Sequence, residues 1–98
     1  MTEWKVEVHP EFLKDLKKLN NKLLEIFYKK KEKIKSDPLR QKHLKGGSNC
    51  YREPITDTIR LIYYVEKKTI YLLTIGVHDK AYKQYRKRLH NLKDKIKQ

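Results

Sequence analysis

Cysteine is nearly missing. Cys50 stands alone among 98 residues, so no disulfide can form within the chain and nothing points to an oxidising compartment. Long apolar runs are missing too: no stretch approaches the roughly 20 apolar residues needed to cross a bilayer. The opening "MTEWKVEVHPEF" lacks the apolar core of a signal peptide. No internal repeat, linker or low-complexity segment divides the sequence. These absences predict one domain over residues 1–98, in the cytoplasm and away from membranes. Hydrophobic residues make up 38%, less than most globular proteins carry, so a partner is expected to add to the stability of a small core. Acid is the last shortage: 12 Asp and Glu face 25 Lys and Arg, a net charge of +13 at pH 7. That excess predicts attraction to polyanions, nucleic acid first. A solvated lysine surface suited to high temperature and an acidic protein partner are the other readings of the same number.

What is present is patterned. "EWKVEVH" alternates, with Trp4, Val6 and Val8 on one face, and predicts a strand. His9 precedes a proline and is biased to extended geometry, whereas Pro10 suits a first helical turn. Phe12, Leu13, Leu16 and Leu19 then form a helical stripe. Asn20 or Asn21 ends that helix and caps a second one, which carries Leu23, Leu24, Phe27, Tyr28 and Ile34 until Pro38 forbids continuation. Lys29, Lys30, Lys31, Lys33 and Lys35 read as its solvated face.

Gly46-Gly47 marks a turn. Three strand-like runs follow, "NCYREPI", "TIRLIYYVE" and "TIYLLTIGV", the last two joined across "KK" in a tight hairpin. From Asp79, a candidate N-cap, the residues Tyr82, Tyr85, Leu89, Leu92 and Ile96 recur at helical spacing. The resulting order, β-α-α-β-β-β-α, predicts an α+β domain: a mostly antiparallel sheet with an N-terminal helical hairpin and a C-terminal helix. Arg60 is the anomaly. It interrupts the apolar run Ile59, Leu61, Ile62, and a guanidinium cannot shed its charge on burial. Strand alternation puts it with Ile62 and Tyr64, opposite Ile59, Leu61 and Tyr63, on a face expected to be open while the other packs on the helices.

Four short motifs in order, within "LKGGSNCYREPI", "IRLIYYVE" and "LLTIGVHDKAY", resemble the RelE/ParE toxin superfamily, most closely its RelE-like branch. They are a leucine–basic–glycine approach, a Tyr-basic strand start, an arginine followed by two apolar residues and Tyr, and a glycine–His segment ending in Tyr. The resemblance covers nearly the whole chain and is densest from Leu44 to Tyr82. It implies a type II toxin–antitoxin system: a ribosome-dependent endoribonuclease that cuts mRNA in the A site without metal or other cofactor. The implied partners are a RelB-like antitoxin, in a toxin–antitoxin hetero-oligomer, and the ribosome with its mRNA. The antitoxin is expected to lay a helix on the sheet or to displace the C-terminal helix.

Carried over residue by residue, the resemblance implies a catalytic set of Arg60, Arg52, His78 and Tyr82. Arg60 and Arg52 match positions that stabilise phosphate charge, a task suited to guanidinium. His78, titrating near neutrality, suits an acid or base. Tyr82 stacks on a base or assists proton transfer. Lys42, Lys45, Lys80, Arg86 and Arg88 are the expected backbone-gripping periphery. The residues alone leave other readings open: ion pairs of Arg60 with Asp57 or Glu66, ion pairs of Arg52 with Glu53 or Glu66, an exposed His78, and a helix-packing Tyr82 rivalled by Tyr85. Pro54 departs from the pattern where some relatives carry a second lysine, and proline cannot move a proton. Cys50 with His43 or His78 matches no metal-ligand spacing and reads as core filler. A ParE-like gyrase inhibitor and a non-catalytic basic nucleic-acid-binding module are the alternative functions.

Overall fold

The computed structural model describes residues 4–40, 42–44 and 49–96. Strand β1 (Lys5–Val8) leads into two helices, α1 (Pro10–Lys17) and α2 (Asn21–Ser36), and a single 3-10 turn at Pro38–Arg40. Strands β2 (Lys42–His43), β3 (Cys50–Pro54), β4 (Ile59–Glu66) and β5 (Thr69–Val77) follow, and α3 (His78–Ile96) comes after them. The expected order therefore holds, with the two-residue β2 as an addition too short for periodicity to reveal. Gly46-Gly47 lies outside the described residues.

Local chemistry sets the boundaries. The His9 imidazole caps α1, its Nδ1 accepting from the Glu11 N–H at 3.1 Å, with Pro10 at the first helical position. Asn20 caps α2 by accepting from the Leu23 N–H at 2.9 Å, and α2 stops two residues before Pro38. The β4–β5 turn puts both Lys67 (φ 46°) and Lys68 (φ 66°) in the left-handed region, as a two-residue hairpin of the primed kind requires, though neither is Gly or Asn. The third helix begins at His78, so Asp79 lies inside its first turn and is not the cap expected from sequence.

The sheet runs β1-β5-β4-β3-β2. All pairings are antiparallel except β1 with β5, which is parallel and ends at Val8 opposite Leu72. Both faces are covered, which corrects the expectation of one open face. Phe12, Phe27 and Ile34 from α1 and α2 pack on Leu61, Tyr63, Ile70 and Leu72, while Ala81 and Tyr85 of α3 pack on Cys50, Ile62, Tyr64 and Leu73. Full burial of side chains of this size contributes roughly 1.5–3 kcal/mol each. The buried Tyr63 hydroxyl donates to the Pro38 carbonyl at 2.6 Å, tying the 3-10 turn to the sheet. The stripes are narrower than their spacing suggests: Val8, Leu13 and Tyr28, read as core-facing, are 39%, 54% and 54% exposed.

Past Leu72 the edge of β5 has lost its β1 neighbour, and side chains take over the pairing. Asp15 of α1 accepts from the Ile75 N–H at 3.3 Å and from the Thr74 hydroxyl at 3.2 Å. Arg88 of α3 donates to the Leu73 carbonyl at 2.8 Å and binds the Asp15 carboxylate at 2.5 and 3.3 Å. One buried ion pair thus satisfies a strand edge and joins the two helical layers around it.

Candidate active-site cleft

The cleft forms where α3 starts. The His78 N–H donates to the Thr58 carbonyl at 3.0 Å, which fixes the first turn of α3 beside the β3–β4 turn. One helical turn then separates His78 from Tyr82, and the next separates Tyr82 from Arg86. On the sheet, Arg52 lies between Cys50 and Pro54 and opposite Ile62, so it projects from the face that α3 covers. The Arg52 Nη1 donates to the Tyr82 hydroxyl at 2.9 Å. The His78 ring meets Tyr82 edge-on at 4.5 Å between centroids, and Tyr85 meets it edge-on at 6.5 Å. These groups line an open cleft of about 820 Å³, joined by Leu44, Lys83 and Arg86. Arg86 is braced by Tyr85, with its Nε 3.3 Å from the phenol oxygen.

Three cations and no carboxylate line this cleft among the described residues. Its charge suits an anion, its imidazole suits proton transfer near neutrality, and Tyr82 offers an aromatic edge beside a hydroxyl held by a guanidinium. Asp79 lies next to His78, with its Oδ1 3.4 Å from the imidazole Nδ1, on the exposed side. Among the described residues no cluster of three or more His, Cys, Asp or Glu is placed to hold a metal. Burial pushes the Cys50 thiol up to about 11, so it stays protonated and unreactive.

Of the residues expected at the site, Arg52, His78, Tyr82 and Arg86 converge. Arg60 lies one register step away, opposite Pro54 and Gly76, and does not line the cleft. Its Nη1 donates to the carbonyls of Thr56 at 2.5 Å and Ile59 at 3.3 Å, and no carboxylate pairs with it among the described residues. Lys80 is exposed and borders a separate groove along β5. Arg88 is a correction: it is 8% exposed and committed to Asp15, so it cannot grip a nucleic acid backbone. Lys45 and the side chain of Lys42 lie outside the described residues. The alternative of an Arg52–Glu53 pair is not taken up, because Glu53 faces the other way and binds Lys30 of α2 at 3.1 Å. That contact also removes Lys30 from the solvated face assigned to it. Lys83 was missed by sequence reading; its position beside Tyr82 was the available signal.

No family model matches the chain, and no curated protein does. Solved structures do match. A mutant of E. coli toxin RelE in the free state superposes with a TM-score of 0.76 over 88% of this chain and 97% of that one, at 23% identity. Its fold is that of the RelE toxins. The RelE-like fold also matches the intact E. coli RelBE toxin–antitoxin complex, at TM-score 0.68 and 24% identity over 76% of this chain and 95% of that one. The archaeal RelE–RelB complex from Pyrococcus horikoshii matches at 0.65 and 24% identity, over 79% and 96%. At these identities the likeness establishes the RelE-like architecture. Among the described residues, no helix is long and apolar enough to cross a membrane.

Proposed function

We propose that this chain is the toxin of a toxin–antitoxin pair and a ribosome-dependent endoribonuclease that cleaves mRNA without a metal. The observation that carries the reading is the cleft itself, where a guanidinium, an imidazole and a guanidinium-bound phenol meet on a RelE-like fold. In the reaction the RNA 2′-oxygen attacks the adjacent phosphorus, forming a P–O2′ bond as the P–O5′ bond breaks. The products are a 2′,3′-cyclic phosphate and a 5′-hydroxyl. Arg52 stabilises the charge on the phosphorane oxygens, and Arg86 and Lys83 hold the flanking backbone. Tyr82, oriented by Arg52, places a base or the reacting phosphate. His78 exchanges protons at the mouth of the cleft. Arg60 assists from the next register position: its Nε and Nη2 donors are not used by the Thr56 and Ile59 carbonyls. Pro54 takes no part in proton transfer. The antitoxin is an acidic chain that covers this cationic surface.

Primer extension on translating ribosomes tests the proposal. The wild-type chain is expected to give discrete cuts, and Arg52→Ala to lose about 10²–10³-fold in rate, as when one charge-stabilising donor is removed elsewhere. Tyr82→Phe keeps the ring and loses the hydroxyl, so it reports on the Arg52 contact alone. Full cleavage by Arg52→Ala, or inhibition of supercoiling with no RNA cut, would overturn the mechanism.

A further inference from the structure

A second groove adjoins the cleft. It has a volume of about 340 Å³, lies between the N-terminus of α1 and the outer side of α3, and is bordered by His9, Glu11, Gln84, Lys87 and Asn91. Lys83 lines both this groove and the cleft, so the two are continuous across α3 at that residue. From Tyr82 to Asn91 the helix rises about 13 Å.

The donors in this groove are not otherwise occupied. Lys83 and Lys87 have no carboxylate partner among the described residues, unlike Lys30, which is held by Glu53. His9 is 9% exposed, and its Nδ1 already accepts from the Glu11 N–H. In the neutral ring the proton therefore sits on Nε2, which is left as an N–H donor with no hydrogen-bond partner among the described residues. A buried donor without a partner is costly, and an anion in the groove would satisfy it. Burial, with Arg88 and Lys95 near, pushes His9 below its usual range against the weaker pull of Glu11 and Asp15.

We propose that this groove is a second backbone subsite for the single-stranded RNA whose reacting phosphate lies in the cleft, with the strand crossing α3 at Lys83 and a phosphate a few nucleotides away held by Lys87, the His9 Nε2–H and the Asn91 amide. The proposal rests on the cleft being an RNA site. It gives the protein a reason to read several nucleotides of backbone through contacts that carry no sequence information. Glu11, the one carboxylate in the groove, lies close to Lys14, with 3.5 Å between the charged groups.

The test uses the full chain and a 2′-O-methyl oligoribonucleotide of about 10 nucleotides, which lacks the attacking hydroxyl and falls within the span that single-strand binders cover. Binding is followed by fluorescence anisotropy against salt, and the His9 ring by NMR titration with and without oligonucleotide. Three results are expected. The His9 titration midpoint rises on binding. Lys83→Gln with Lys87→Gln flattens the salt slope by about 1.4, for two phosphates released at about 0.7 each. The charge-matched pair Lys29→Gln with Lys33→Gln, on the far helix, flattens it less. An unmoved His9 midpoint, or equal losses from the two lysine pairs, overturns the groove. If Arg52→Ala still weakens binding in that case, the cleft reading survives alone. If no variant changes binding, both readings fail. A stronger His9 response to an acidic polyglutamate peptide than to the oligonucleotide assigns the groove to a protein partner and also overturns the proposal.

Discussion

Replacing Asp15 by asparagine probes the joint between the two helical layers. Its carboxylate receives the Thr74 hydroxyl, the Ile75 N–H and two donors of Arg88, all in the interior. Asparagine has nearly the same shape, but it removes the negative charge and turns one acceptor into a donor. Arg88 is left as a buried cation with only the Leu73 carbonyl and Gln84 to solvate it. Breaking one side of a buried pair costs about 3–5 kcal/mol, a large fraction of the 5–15 kcal/mol that typically separates folded from unfolded chains. Urea denaturation followed by far-UV circular dichroism should show a midpoint falling by more than 1 M, taking a slope of about 1–3 kcal/mol per molar. The decisive comparison is Asp15→Asn with Arg88→Met. Since the pair as a whole is near neutral against apolar substitutes, the double variant should be more stable than Asp15→Asn alone. A single variant within about 1 kcal/mol of wild type, or a double variant whose losses simply add, would refute the idea that this ion pair holds α3 to α1.

Three further outcomes are expected. His9 is depressed when folded, so the unfolded chain binds more protons as pH falls through 6.5. Stability should be full above that range and decline below it, while a His9→Gln variant should lose that slope in pH-dependent urea melts. Lys67 holds a positive φ that a lysine adopts at a cost of about 1 kcal/mol, so Lys67→Asn should raise the melting temperature by a few degrees; an unchanged or lower value would remove strain from the account of that turn. Cys50, buried and with its thiol raised to about 11, should react with a disulfide reagent at pH 8 only as fast as the chain opens, and should reach ordinary thiol rates in urea.

Much of the fold could be read from periodicity because each buried stripe is local. Phe12, Leu16 and Leu19, or Leu61, Tyr63 and Val65, declare their face within one element, and Pro38 and Asn20 declare its ends. What escaped depends on partners far apart in the chain. The parallel pairing of Val6 with Ile70 leaves no mark on either segment. The same holds for Arg88, which looks like one more surface cation in "YRKRLH" until Asp15, 73 residues away, is placed against it. Arg60 was read correctly as facing away from Leu61 and Tyr63. The cover that α3 gives to that face, however, depends on Ala81 and Tyr85 fitting over Cys50 and Ile62, which no spacing rule encodes. The meeting of Arg52, His78 and Tyr82 came from resemblance; their contact distances came only from the packing of α3 on β3.

The pairing of β1 with β5 has a consequence for the order in which the molecule is made. The first strand has no sheet neighbour until residues 69–72 exist, and β5 then sits between it and β4. Helix α3, which supplies His78, Tyr82 and Lys83, follows every other described element. A growing chain therefore carries the Arg52 side of the cleft well before the opposing wall. Such distant closures also slow folding relative to local ones. During synthesis the newborn protein passes through a long interval in which its strands are complete but its cleft is not. Any partner that recognises the finished cleft must wait for the last helix, whereas one that recognises the exposed sheet face can bind first and keep that helix from docking.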